Sequence, residues 1–207
     1  MEAEDTPSRK RFQSISRHNE KRLYTHCTAF LEISLGVIVL KPCLHIYTGD
    51  GKGKTTAAVG LAARFISYGG PVLFLQFMKG AESGECASLR ALGCEVRRLS
   101  KDFGFYPNLS DPACVCKEHT RMLSMALEFM QKENALLVLG ESISAYTLSL
   151  LDRENFLSIL QNRKCEIVCT GRDVPPEILS LADYITEMKC LRHPYENGLS
   201  ARCGVEF

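Results

Sequence analysis

Tryptophan is absent from this chain, net charge is almost absent, and long apolar runs are missing. The best candidate for a membrane segment, Ala29–Leu40 (AFLEISLGVIVL), is short and interrupted by Glu32. A spanning helix needs roughly 20 apolar residues. A cleaved leader would carry a small-residue site after the run, where Lys41-Pro42 stands instead. No membrane partner is therefore expected, and the expected location is cytoplasmic. A formal net charge of +1 gives no basic field of the kind that gathers nucleic acid or acidic lipid. The C-x-x-C spacing of a zinc ribbon or redox dithiol is also missing, although the chain has ten cysteines. Most of these are expected to pack as small apolar residues, with Cys165 and Cys169 on one face of a strand, and to remain free thiols.

What is present divides near residue 40. Met1–Arg22 is polar, of mixed charge and without helical or strand period, so residues 1–40 are expected to be a poorly ordered extension. It is either a plain tail, an upstream translational start, or a lid over an active site. From Cys43 onward the pattern becomes regular. Strands are predicted at Leu44–Tyr47, the continuous apolar run Val72–Met78, Glu95–Leu99, Leu136–Leu139, Glu166–Thr170 and Tyr184–Leu191. Helices are predicted over Lys54–Tyr68, Gly84–Leu92, Pro112 to about Glu133, Asp152–Asn162 and Pro175–Leu181. Strands alternating with helices predict an α/β domain over 41–207 with a parallel sheet and right-handed crossovers.

The segment Thr48-Gly49-Asp50-Gly51-Lys52-Gly53-Lys54-Thr55-Thr56 follows the first strand and opens the first helix. Glycines there let backbone N–H groups turn inward as an anion nest, and the helix N-terminus adds unpaired donors and partial positive charge. Lys54 is placed to reach phosphate oxygens and the Thr55 hydroxyl to ligate Mg²⁺. Measured against G-x-x-x-x-G-K-[ST], either the loop is one residue short or Thr48 fills the first glycine position. A metal-binding acid is expected at a neighbouring strand end. The strand Leu136–Leu139 runs into Gly140-Glu141, which makes Glu141 the candidate. Asp173 and Asp183 lie near other strand ends and are expected to be cap or surface residues.

Together these segments resemble the ATP:cob(I)alamin (corrinoid) adenosyltransferases of the P-loop type. TGDGKGKTTAAVG is similar to that family's shortened phosphate loop, and VLFLQFMKG to its second strand. FGFYPN, the stretch Glu141–Tyr146, Thr170-Gly171-Arg172, Leu181-Ala182-Asp183 and HPYENGLSARCGVEF resemble its later motifs in order. The resemblance covers roughly Leu44–Phe207. It implies a P-loop NTPase-like, recombinase-like sheet, a homodimer, ATP with Mg²⁺, a corrinoid substrate and a flavoprotein or flavodoxin-like electron donor. It implies that Co(I) attacks the ribose 5′-carbon and that triphosphate leaves. By the same resemblance, Gly49, Asp50, Gly51, Lys52, Gly53, Lys54, Thr55 and Thr56 cradle the triphosphate. Lys54 neutralises its charge, Thr55 and Glu141 hold Mg²⁺, and Phe105 and Tyr106 shape the corrinoid pocket.

One position departs from the family pattern: Gly140 stands where the family strand ends in Asp. With no tryptophan present, displacement of a lower cobalt ligand would fall to Phe105 and Tyr106. Two other readings follow from the residues alone, an ordinary P-loop hydrolase or small-molecule kinase, and a non-catalytic ATP- or corrinoid-binding relic.

Overall fold

The computed structural model describes residues 42–104 and 107–206. The extension 1–40, Phe105 and Tyr106 lie outside the described residues, so the expectations for them are not addressed by the structure. Six strands form one sheet: β1 Leu44–Thr48, β2 Val72–Gln76, β3 Glu95–Arg98, β4 Leu136–Gly140, β5 Glu166–Thr170 and β6 Tyr184–Glu187. Their order is β3-β2-β4-β5-β1-β6, and every pairing is parallel. Helices connect them: α1 Lys54–Ile66, α2 Gly84–Ala91, α3 Pro112–Phe129, α4 Ser142–Thr147, α5 Arg153–Gln161 and α6 Pro176–Leu179.

The central strands β2 and β4 are buried at every position and almost wholly apolar because helices cover both faces of the sheet. Strand period two then divides the core. Val72, Phe74, Leu136, Val138 and Val168 pack with Ala58 and Ala62 of α1 and Cys86 and Leu89 of α2. Leu73, Leu75, Leu137, Leu139, Ile167 and Cys169 point the other way, into a cluster with Val115, Leu123 and Phe129 of α3 and with α4 and α5. The α1 face is lined by alanines, which lets the helix that opens at the phosphate loop lie close to the strands.

Several boundaries differ from the sequence expectations for identifiable reasons. β2 stops at Gln76 because Met78 takes a left-handed φ of 65°. α3 stops at Phe129, with Met130 as its cap, short of Glu133. β6 ends at Glu187, not Leu191, and all four of its residues are exposed on the sheet edge. α4 was not expected. It begins after Glu141, whose left-handed φ of 57° turns the chain sharply and carries no side-chain capping bond. Among the cysteines, Cys86, Cys94, Cys165 and Cys169 are buried, whereas Cys190 and Cys203 are exposed. No helix among the described residues is long and apolar enough to cross a membrane.

Candidate functional site

Parallel strands all present their C-terminal ends on one side, and the loops there converge. The turn after β1 carries the phosphate loop. Gly49 and Gly51 press against the chain beyond β6: a Cβ on Gly49 would lie 2.4 Å from the Met188 carbonyl oxygen, and one on Gly51 2.7 Å. The Gly51 N–H donates to that same carbonyl at 2.7 Å. Only glycine allows so close a backbone approach, and it fixes the loop against the sheet edge.

Asp50 through Thr56 line a cavity of about 530 Å³. The opposite wall is drawn from other strand ends: Lys79 after β2, Glu141 after β4 and Arg172 after β5. Gly84, Glu85 and Ser88 of α2 contribute, and His193 and Gly204–Glu206 close one side. The predicted residues Asp50, Gly51, Lys52, Gly53, Lys54, Thr55, Thr56 and Glu141 are thus brought to one cavity. Gly49 is not among its lining residues. It faces a shallower depression shared with Thr48, Asp173 and Glu187. Asp183 lies at the opposite end of the sheet, where its carboxylate accepts from the Leu44 N–H at 2.8 Å and pairs with Arg163 at 2.5 Å.

The cationic groups of the cavity differ in their present partners. Lys54 is 8% exposed, and its ammonium donates to the carbonyls of Gly49 at 2.6 Å and Gly51 at 2.8 Å. Burial lowers its pKa, and the nearby Arg172 guanidinium lowers it further, while Glu141 and Asp50 act against both. Lys52 donates to Glu206 Oε1 and to the Val205 carbonyl, each at 2.8 Å. Arg172 lies 3.8 Å from Asp50. Lys79 forms no ion pair among the described residues. Several cations around a glycine-rich loop at a helix N-terminus make an anion-binding concavity.

Glu141 is held by its backbone and its side chain together. Its N–H donates to Thr170 Oγ1 at 2.9 Å, and Ser144 Oγ donates to its carboxylate at 3.3 Å. Thr55 and Glu141 line the same cavity. Among the described residues, no group of three or more His, Cys, Asp or Glu side chains is placed to hold a metal. One hydroxyl and one carboxylate do suit Mg²⁺, which keeps several waters and takes further oxygens from a bound phosphate. Gly140 is paired with Gln76 across the sheet. A Cβ there would meet the Leu75 carbonyl, Phe74 Cζ and Gln76 Cα at 3.5–3.8 Å, ordinary contacts.

Phe103 of the FGFYPN segment is 2% exposed and belongs to the core. Lys79, Arg172, His193 and Glu206 had no assigned role from the residues, although all four fall in segments that carried the family resemblance. Nothing in their local spacing announces a site, because they come from separate strand ends and join only through the strand order.

Comparison with known proteins identifies the family. Residues 40–207 match the family model for ATP:corrinoid adenosyltransferase BtuR/CobO/CobP. The chain is 33% identical over 168 residues to a corrinoid adenosyltransferase of Pseudomonas aeruginosa, covering 79% of this chain and 83% of that one. It is 32% identical over 170 residues to corrinoid adenosyltransferase CobA of Salmonella typhimurium, covering 78% and 84% respectively. A corrinoid adenosyltransferase of Sinorhizobium sp is 31% identical over 175 residues, 81% of each chain.

Proposed function

The chain belongs to the ATP:corrinoid adenosyltransferases, and from that premise we propose how its own residues serve the transfer. The enzyme is a transferase that moves the adenosyl group of ATP to a corrinoid in cobalamin biosynthesis. The observation that carries the residue-level reading is the convergence of Lys54, Glu141 and Arg172, from three different strand ends, on one cavity.

The reaction asks little activation of the protein. The cobalt of a reduced corrinoid carries an electron pair that forms the Co–C bond at the ribose 5′-carbon. The C–O bond to the α-phosphate breaks, and its electron pair leaves with triphosphate. The protein must align the reacting atoms and stabilise the departing anion. In our reading Lys54 gives up its contacts to Gly49 and Gly51 and donates to triphosphate oxygens. Arg172 and the backbone N–H groups of Lys52–Thr56 take further oxygens. Thr55 and Glu141 would hold Mg²⁺, which supplies charge compensation for the polyphosphate when bound.

Phe105 and Tyr106 are proposed to line the corrinoid side and keep water off cobalt. A homodimer, a cytoplasmic location and a flavoprotein electron donor belong to the same reading. The family relation disfavours an ordinary hydrolase, a kinase or a relic. The test is anaerobic incubation with ATP, Mg²⁺ and chemically reduced corrinoid. We expect the visible spectrum of the adenosylated product and one triphosphate for each corrinoid converted. ADP released in step with turnover would overturn the reading.

A further inference from the structure

We propose that His119, on α3 and outside the cavity, is a positioning residue that holds the turn Met78–Gly80 so that Lys79 faces the triphosphate. The proposal rests on the functional reading above and adds to it a cation and the device that aims it.

His119 is fully buried among apolar neighbours, a costly place for an imidazole unless both nitrogens are used. Both are. The Met78 N–H lies 3.3 Å from Nε2, and Nδ1 lies 2.9 Å from the Leu150 carbonyl. A backbone N–H only donates, so Nε2 is the acceptor and Nδ1 carries the proton. The neutral ring this requires agrees with a pKa lowered chiefly by burial. One side chain thereby joins α3, the end of β2 and the loop after α4.

The bond falls where the backbone is under strain. Met78 has a left-handed φ of 65°, uncommon for a residue with an unbranched long side chain. Without that turn, β2 would continue past Gln76 and the next side chains would alternate between the faces of the sheet. With it, Lys79 leaves the sheet and lines the cavity. Other contacts hold the same turn. The Leu99 N–H donates to the Lys79 carbonyl at 3.2 Å, and Arg98 donates to the Gly80 carbonyl. Gly80 lies so close to the Lys101 carbonyl that a Cβ would stand 1.6 Å away. The residue beside His119 on α3, Glu118, accepts from the Ser100 N–H at 2.7 Å and so secures the opposing segment. These contacts brace a turn whose one cavity-facing product is Lys79, a cation without an ion-pair partner among the described residues.

The experiment compares two substitutions that each keep one bond. The glutamine amide can set its oxygen near Nε2 and still accept from Met78. The asparagine amide can set its nitrogen near Nδ1 and still donate to Leu150. Calorimetric titrations with MgATP and with inorganic triphosphate are run on the wild type, Lys79→Ala, His119→Gln, His119→Asn and the double variant His119→Asn/Lys79→Ala. Loss of one charge-assisted contact corresponds to roughly ten- to hundred-fold in affinity. We expect that loss in Lys79→Ala and most of it in His119→Asn, with His119→Gln near wild type. The double variant should be no weaker than Lys79→Ala alone, since the two act through one contact. Equal affinities for the Gln and Asn variants, or losses that add, would overturn the proposal. A measurement on the wild type guards against a variant that fails to fold. With ¹⁵N-methionine label, the Met78 amide resonance should move when triphosphate is added, and an unmoved resonance overturns the proposal. Failure of wild-type protein to bind either probe would overturn the functional reading first, and is visible without any variant.

Discussion

The ammonium of Lys52 lies 2.8 Å from Glu206 Oε1, so the phosphate loop is tied to a segment more than 150 residues further along the chain. Arg202 pairs with the same carboxylate at 3.2 Å. In this arrangement a cation that could meet triphosphate is already neutralised, and a negative charge lines the cavity.

Glu206→Gln should therefore tighten MgATP binding. An exposed pair of this kind corresponds to about two- to five-fold in affinity, and the gain should shrink at high salt. Calorimetric titration at low and high ionic strength checks both. Arg202 and Lys52 hold the Glu206 pKa down to about 2. Its depressed value means that the ion pairs persist down through the ordinary carboxylate range and are lost only as pH falls toward about 2. The effect of the substitution should thus be the same in mildly acidic and neutral buffer. Weaker binding by Glu206→Gln would show that this segment assists the nucleotide.

Lys54→Ala should weaken MgATP binding by roughly ten- to hundred-fold, the worth of a lost charge-assisted contact. Its lowered pKa adds a signature. A bound polyanion favours the charged ammonium and raises the pKa again, so binding in alkaline buffer takes up protons and affinity falls as pH rises. The enthalpy of binding should then depend on the buffer's ionisation heat in the wild type and lose that dependence in Lys54→Ala.

Removal of residues 1–40 should leave a cooperative thermal transition. The first described residues are anchored to the sheet: the Cys43 N–H donates to Glu166 at 2.9 Å and the Leu44 N–H to Asp183 at 2.8 Å. β1 then pairs in parallel with β5 and β6. Scanning calorimetry of the shortened chain checks this, and a broad or missing transition would place Ala29–Leu40 in the core.

The phosphate loop and the strands around it were legible because local sequence determines them. Val72–Gln76 and Leu136–Gly140 are buried throughout, and apolar except at Gln76, since both faces of the sheet are covered. The loop's glycines are set by close backbone approach to Met188. What was not legible depends on distant partners. Nothing local tells Met78 to end β2, because the acceptor that secures its turn is His119, 41 residues away. Helix α4 escaped notice because a left-handed Glu141 replaces the usual capping side chain. Arg172 and Glu141 become neighbours only because β4 and β5 are adjacent in the sheet while α4 and α5 intervene in sequence.

Gly140 bears most directly on how well this chain performs its reaction. It ends β4 directly before Glu141, and it pairs with Gln76 at the end of β2. Gln76 is 1% exposed, and its Nε2 has no hydrogen-bond partner among the described residues. Its Oε1 accepts from the Cys86 thiol at 3.3 Å. An unsatisfied buried donor typically costs about 1–3 kcal/mol. A Cβ on Gly140 would stand 3.8 Å from Gln76 Cα, without a clash, and the glycine's φ is one any residue adopts. Gly140→Asp would therefore put a carboxylate beside the unpartnered amide and next to the residue proposed to hold Mg²⁺. Restoring such a supporting group typically changes metal affinity or activity by about 10–100-fold. We expect the variant to adenosylate corrinoid faster, most visibly at limiting Mg²⁺, with no fall in melting temperature, because the new amide contact offsets the burial of charge. Glu141→Ala should nearly abolish turnover in the native chain, since no other carboxylate of the loop after β4 reaches the cavity. Equal Mg²⁺ dependence in wild type and Gly140→Asp would mean that the strand end plays no part in holding the metal. A melting temperature well below wild type would mean that Gln76 and the new carboxylate do not meet, and that Gly140 is required by packing and not merely tolerated by it.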